Sequence, residues 1–135
     1  MAWIYKNKEY DPKDLDPKVI YGFVYEITNL DNNRKYIGKK FFWATKTYQK
    51  SLKRKKRKVE SDWRDYYGSS DMLLEDLVDI GKERFDRRIL KLCKTKSECA
   101  YFEAKYQFKN KVLESEEYYN SWIMVKVRKA HLTKL

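Results

Sequence analysis

The sequence predicts an α+β fold, and three observations carry that reading. Residues 19–29 are dense in β-branched and aromatic side chains, meet turn chemistry at Asp31-Asn32-Asn33, and return as a second extended stretch over 35–38, so they read as a hairpin. Two later segments carry helix-start signals. Between these lies Phe85–Cys93, whose Ile89-Leu90-Lys91-Leu92 core reads as a third strand.

Each element has a local reason. Residues 1–18 form a polar lead-in punctuated by Pro12 and Pro17. Residues 41–60 open on aromatics (Phe41, Phe42, Trp43, Tyr48) and end in a basic run containing Lys50, Lys53, Arg54, Lys55, Lys56, Arg57 and Lys58. Like charges at that density repel one another, so the expectation is a loop that orders only when an anion neutralises it. Ser69 or Ser70 can cap a helix over 71–80 that buries Leu73, Leu74, Leu77 and Ile80 and stops at Gly81. Thr95-Lys96-Ser97-Glu98 has capping-box spacing and opens a helix to about residue 114. Residues 121–128 fit helix or strand.

At 135 residues the chain fits one domain over 1–135, with a basic insert at about 46–60 and a C-terminal extension at about 121–135. Its 31 Lys and Arg against 20 Asp and Glu give a formal net charge of +11. That field selects a polyanionic partner, nucleic acid or an anionic membrane surface. A membrane role is disfavoured: no apolar run approaches the roughly 18–20 residues of a spanning helix, and the lead-in does not read as a signal peptide. The expected location is therefore cytoplasmic. Cys93, Cys99 and the single His131 cannot assemble a zinc site, so the thiols read as small core residues.

Tyr25 and Tyr36 stand on opposite arms of the hairpin. A loop with an even number of residues, such as a two-residue turn at Asn32-Asn33 or Leu30-Asp31, places both phenols on one face. Lys35 would then face the other way unless a bulge intervenes. On a helix, Glu103 has Cys99, Ala100, Tyr106 and Gln107 one turn away. None is basic, so no local ion pair accounts for it, and a carboxylate bordering an apolar row needs a partner.

Gly22-Phe23-Val24-Tyr25, followed at hairpin distance by Lys35-Tyr36-Ile37-Gly38, resembles the GIY-YIG nuclease signature, the first triplet loosened and the second intact. Tyr67-Gly68-Ser69-Ser70, the Gly81–Phe85 segment, and Glu103 followed by Tyr119-Asn120 match in order. The chain looks similar to the short members of this superfamily found in bacterial viruses. The resemblance implies a small three-stranded antiparallel sheet flanked by helices. It also implies a metal-dependent endonuclease that hydrolyses phosphodiester bonds in double-stranded DNA, of homing type or directed at host or competitor DNA.

By the same resemblance Glu103 is the ligand of one Mg²⁺ or Mn²⁺, ions that prefer oxygen donors. Tyr25 is the base or the group orienting the attacking water, which requires nearby positive charge from Lys35 or the metal to lower a phenol pKa near 10. Tyr36 bonds the phosphate or the water, and Asn120 positions the Glu103 helix or a phosphate oxygen. The family's early Arg is missing, with Arg64 or Arg57 as its replacement. Lys39 and Lys40, with Lys53, Arg54, Lys55, Lys56, Arg57 and Lys58, are the expected phosphate contacts, and a homodimer or partner protein would supply specificity. If the protein is phage-encoded, its compartment is the host cytoplasm. Two other readings stay open: a catalytically inactive nucleic-acid-binding module of the same fold, and a protein-interaction factor.

Overall fold

The computed structural model describes residues 2–50, 53–126 and 129, with side chains at all of these except 48–50 and 53–55. Strands β1 (Ile4–Tyr5) and β2 (Lys8–Glu9) come first, followed by the hairpin of β3 (Gly22–Asn29) and β4 (Lys35–Phe41). Strands β5 (Trp43–Lys50) and β6 (Lys53–Glu60) form a separate ribbon. Helix α1 (Asp71–Ile80), strand β7 (Phe85–Cys93) and helix α2 (Lys96–Lys109) complete the chain order.

The main sheet has five strands in the order β2-β1-β7-β3-β4, with β1 parallel to β7 and the other pairs antiparallel. The three-stranded antiparallel sheet expected from the sequence, β7-β3-β4, is thus one side of a larger mixed sheet. The addition comes from the lead-in, whose Trp3 is fully buried and donates its indole N–H to the Trp63 carbonyl at 2.7 Å.

Alternation along β3 divides the core. Phe23, Tyr25 and Ile27 join Trp3, Phe42, Trp63, Leu73 and Phe85 on the aromatic face, which α1 also covers. Val24 faces the other way, with Ile37, Cys93, Cys99 and Val112, beneath α2. The two free cysteines are therefore core residues. Arg87 is buried between the Trp3 and Tyr67 rings and donates to the carbonyls of Arg64 and Tyr66 at 3.0 and 2.8 Å. Burial lowers its pKa from the usual guanidinium value.

Local signals place the helices. The Ser70 hydroxyl accepts from Leu73 N, and Gly81, at φ 102°, takes the left-handed turn that ends α1. The Thr95 hydroxyl accepts from Glu98 N. α2 stops at Lys109, short of the expected residue 114, because Lys111 turns to φ 52° and the chain folds back.

Three expectations need correction. The hairpin loop has four residues, 30–33, closed by Asn29 N donating to Arg34 O at 2.8 Å and by Asn33 at φ 61°. The basic run is not a loop; Lys50 ends β5 and residues 53–58 lie on β6 of the β5–β6 ribbon. Residues 121–126 take neither helix nor strand, while 127–128, 130–135 and hence His131 lie outside the described residues. Among the described residues no helix is long and apolar enough to cross a membrane.

Candidate active site

β4 is the edge strand of the main sheet, and its outward-pointing backbone must be satisfied by something other than a strand. The segment after α2 supplies the partners. Lys35 N donates to Glu117 O, and Tyr119 N donates to Lys35 O. Ile37 N then donates to Asn120 Oδ1 at 3.1 Å, while Asn120 Nδ2 and Gln107 Nε2 donate to Ile37 O at 2.8 and 3.0 Å. Asn120 thereby pins the C-terminal segment to the sheet edge, and Gln107 pins α2. Tyr119 locks the same segment to α1 by donating to Asp76 Oδ2 at 2.6 Å.

These contacts enclose a cavity of about 580 Å³ at the β4 edge, lined by Tyr25, Tyr36, Lys39, Ser69, Glu103, Gln107 and Asn120 among others. Its outer rim is apolar, since Met72, Trp122 and Met124 line it while remaining exposed.

The tyrosines meet as an even loop requires. Tyr25 lies opposite Gly38 and Ile27 opposite Tyr36, so both phenols share a face, with ring centroids 6.1 Å apart. Gly38 has no side chain to fill the space, and the Tyr25 phenol lies across it: a Cβ there would sit 2.5 Å from the Tyr25 hydroxyl. The phenol thus reaches past β4 towards the edge. Burial holds its pKa well above 10, and Tyr66 and Tyr36 push in the same direction. The lowering that a base would need is thus not supplied by these protein neighbours. Tyr36 is the more accessible phenol, hydrogen-bonded to Ser69 at 3.2 Å, and its pKa is also raised by burial.

Glu103 has a partner that its helical neighbours do not reveal. Lys39 Nζ approaches Glu103 Oε1 at 3.2 Å from β4. Burial nonetheless wins over this pairing and raises the Glu103 pKa above the usual carboxylate range, while Lys39 pulls it down. Among the described residues Lys39 is the one cationic side chain lining the cavity.

The structure does not bring every expected residue there. Lys35 stays outside, because no bulge interrupts the β3–β4 pairing and its side chain is on the face opposite Tyr36; the register shift falls in the β3–β7 pairing instead. Arg64 is committed elsewhere, donating to Asp11 at 2.8 Å and to the Pro12 carbonyl at 3.0 Å, with Glu60 at 3.5 Å. Arg64→Ala is thus expected to leave any cleavage rate within about twofold, the ±0.5 kcal/mol range of surface changes; a hundredfold loss in a nicking assay would restore it as the site cation. Lys40 pairs with Asp62 at 2.6 Å and lies 4.1 Å from the Tyr66 ring, so it is an internal contact. Lys53, Arg54 and Lys55 have described backbones only, and Lys56, Arg57 and Lys58 are on β6. Gln107 and Ser69 were not expected at the site from sequence; Gln107 is, with Glu98, one of the two buried polar residues of α2.

A divalent ion fits this site only as a lightly held one. Among the described residues no group of three or more His, Cys, Asp or Glu is placed to cage it. Glu103 offers the mostly buried carboxylate of the lining, at 14% side-chain exposure, and burial is what raises its pKa.

The family described as "Putative endonuclease segE, GIY-YIG domain" matches residues 3–123. The protein of that name from Enterobacteria phage T4 is 34% identical over 102 residues, covering 75% of this chain and 40% of its own length. The chain therefore spans well under half of that relative. No solved structure matches. A match from residue 3 to 123, across the tyrosine hairpin, Glu103 and Asn120, places the chain in the GIY-YIG endonuclease family, in its phage segE branch.

Proposed function

We propose that the protein is a divalent-metal-dependent endonuclease that hydrolyses phosphodiester bonds in duplex DNA. The observation that carries this reading is the convergence of Tyr36, Lys39 and Glu103 on one cavity at the sheet edge. A pure binding module has no use for a carboxylate held at a raised pKa in a cavity meant for an anion, because the charge would repel phosphate. With a metal bound to it, the same carboxylate becomes an asset.

Glu103 would hold the Mg²⁺ or Mn²⁺, with water and phosphate oxygens completing its shell. When bound, the ion supplies Lewis-acid stabilisation of the charge on the scissile phosphate and leaving oxygen. Lys39 would release Glu103 to the ion and turn to a phosphate oxygen, supplying the cation for which the sequence offered Arg64 or Arg57. Tyr36, with Ser69 behind it, would donate to a phosphate oxygen or orient the attacking water. Tyr25, buried against Gly38, would hold Tyr36 in place and receive or relay a proton only once a cation has offset its burial. The apolar rim of Met72, Trp122 and Met124 suits the sugar and base flanking that phosphate.

Supercoiled plasmid incubated with the protein tests the reading. Nicking is expected with Mg²⁺ or Mn²⁺ and should cease when EDTA is added. Equal nicking in EDTA, or none with any divalent ion, overturns it.

A further inference from the structure

The β5–β6 ribbon takes no part in the cavity, and it lacks what an isolated hairpin needs. Two strands alone are marginal in water without an apolar face that is covered. Here residues 44–47 and 56–58 are all exposed, on both faces of the ribbon, and no third strand pairs with it among the described residues. The register also sets like charges across from one another, Lys46 opposite Arg57. Such pairs cost stability unless an anion lies between or beside them.

What holds the ribbon is its base. Phe42 is fully buried, and Trp43 donates its indole N–H to the Ile20 carbonyl at 3.2 Å. Ser61 donates through N to Phe42 O and through Oγ to Phe41 O, at 2.8 and 2.6 Å. The free end projects from this fixed root.

Alternation distributes the cations over both faces. Lys46 and Arg57 share one face; Lys56 and Lys58 share the other with Thr47 and Thr45 directly opposite them, Lys58 lying nearer the root with its ammonium 4.5 Å from the Tyr21 ring. A ribbon lying flat on a single phosphate backbone would leave half of this charge unused. A ribbon entering a groove walled by two backbones uses both halves. The major groove of B-DNA is about 12 Å wide and about 8.5 Å deep and admits a two-stranded ribbon. Strands of eight residues reach roughly 26 Å at about 3.3 Å per residue, enough to extend well along it.

We infer that the β5–β6 ribbon inserts into the major groove of duplex DNA, each face holding the phosphates of one wall. The inference rests on the nuclease reading for its choice of duplex DNA. Its consequence is positional. The ribbon starts two residues after Phe41, at the end of the strand that carries Tyr36 and Lys39, so its depth and register in the groove set which phosphate reaches the cavity.

Binding to a fluorescent mixed-sequence 30-bp duplex, measured in EDTA so that cleavage cannot contribute, tests this. Lys46→Gln/Arg57→Gln is expected to lower the slope of log Kd against log salt by about two, and Lys56→Gln/Lys58→Gln, one of whose cations also rests on the Tyr21 ring, by about one to two. Methylation of guanine N7, in the major groove, is expected to block binding by the parent. Thermal unfolding of each variant confirms that the fold is retained, and a parent sensitive to N7 methylation supports the inference even if a variant fails to fold. Loss from one face alone, or indifference to N7 methylation, overturns groove insertion. The two readings separate cleanly. A parent that cuts plasmid while both variant pairs bind normally removes the groove inference and leaves the nuclease; a parent that shows the N7 pattern but never cuts removes the nuclease and leaves the groove contact.

Discussion

Glu103→Gln is expected to lower metal-dependent cleavage by about 10³-fold while leaving the protein at least as stable at neutral pH. The first half follows from the donor set. Among the described residues no group of three or more His, Cys, Asp or Glu could hold the ion without Glu103, and the cavity's other carboxylate, Asp71, is exposed; loss of Glu103 therefore loses the ion, and several kcal/mol of transition-state stabilisation amount to roughly three decades of rate. The second half follows from burial. The folded-state pKa of Glu103 is raised, so the native protein binds its proton more tightly than the unfolded chain does. The associated stability is present at low pH and is lost as pH rises through that raised pKa. Gln does not titrate, so its melting temperature should gain on the parent from about pH 4, the ordinary carboxylate range, upward, and the gap should level off above the folded-state pKa. Lys39, a third exposed, can return to water when its partner is gone. Mg²⁺ should raise the melting temperature of the parent and not of Glu103→Gln, a readout that needs no cleavage. A variant that cuts like the parent, or one whose stability falls further behind as pH rises, would sink the assignment.

The parts of this molecule legible from sequence are those whose causes are local. Ser70 and Gly81 bound α1, and Thr95 opens α2, because capping is decided within one turn. The tyrosine hairpin was legible for the same reason: parity settles which side chains share a face whether the loop has two residues or four. Distant pairing was not. β1 is two residues long, too short to show any periodicity, and exists because β7 offers it a parallel partner more than eighty positions away. The ribbon was hidden by the opposite effect, since a run of lysines and arginines signals repulsion more strongly than it signals a strand. At the site, Glu103 was found from its helical surroundings, but its partner Lys39 is 64 positions away and visible only once β4 lies beside α2. Arg64 was offered only to stand in for the early Arg that the resemblance expects, and its guanidinium holds the lead-in instead.

Gly38→Ala is expected to destabilise the protein by about 1–3 kcal/mol, the usual range for overpacking a filled core, and to lower its melting temperature by on the order of 5–10 °C. Backbone freedom is not the reason, since Gly38 is not among the residues with positive φ. By that measure alone, replacing Gly with Ala would gain about 0.4–1 kcal/mol by restricting the unfolded chain. Space decides the sign. The new methyl would lie 2.5 Å from the Tyr25 hydroxyl, 2.8 Å from its Cζ and 2.9 Å from Cε2 of Tyr36. Tyr25 cannot give way easily, because its ring is packed among Trp3, Phe23 and Tyr66. Tyr36 is the partly exposed neighbour and must move instead, away from Ser69 and out of its place beside Lys39 and Glu103. Cleavage should therefore fall by more than the loss of folded protein explains, measured at a temperature where both proteins are fully folded. Tyr25→Phe removes the nearest of the three atoms, so Gly38→Ala should cost less in that background than in the parent, with the coupling read from a double-mutant cycle. Additive losses would mean that the methyl is accommodated by a shift of β4 itself, and that the glycine of the second triplet serves the strand and not the tyrosine pair.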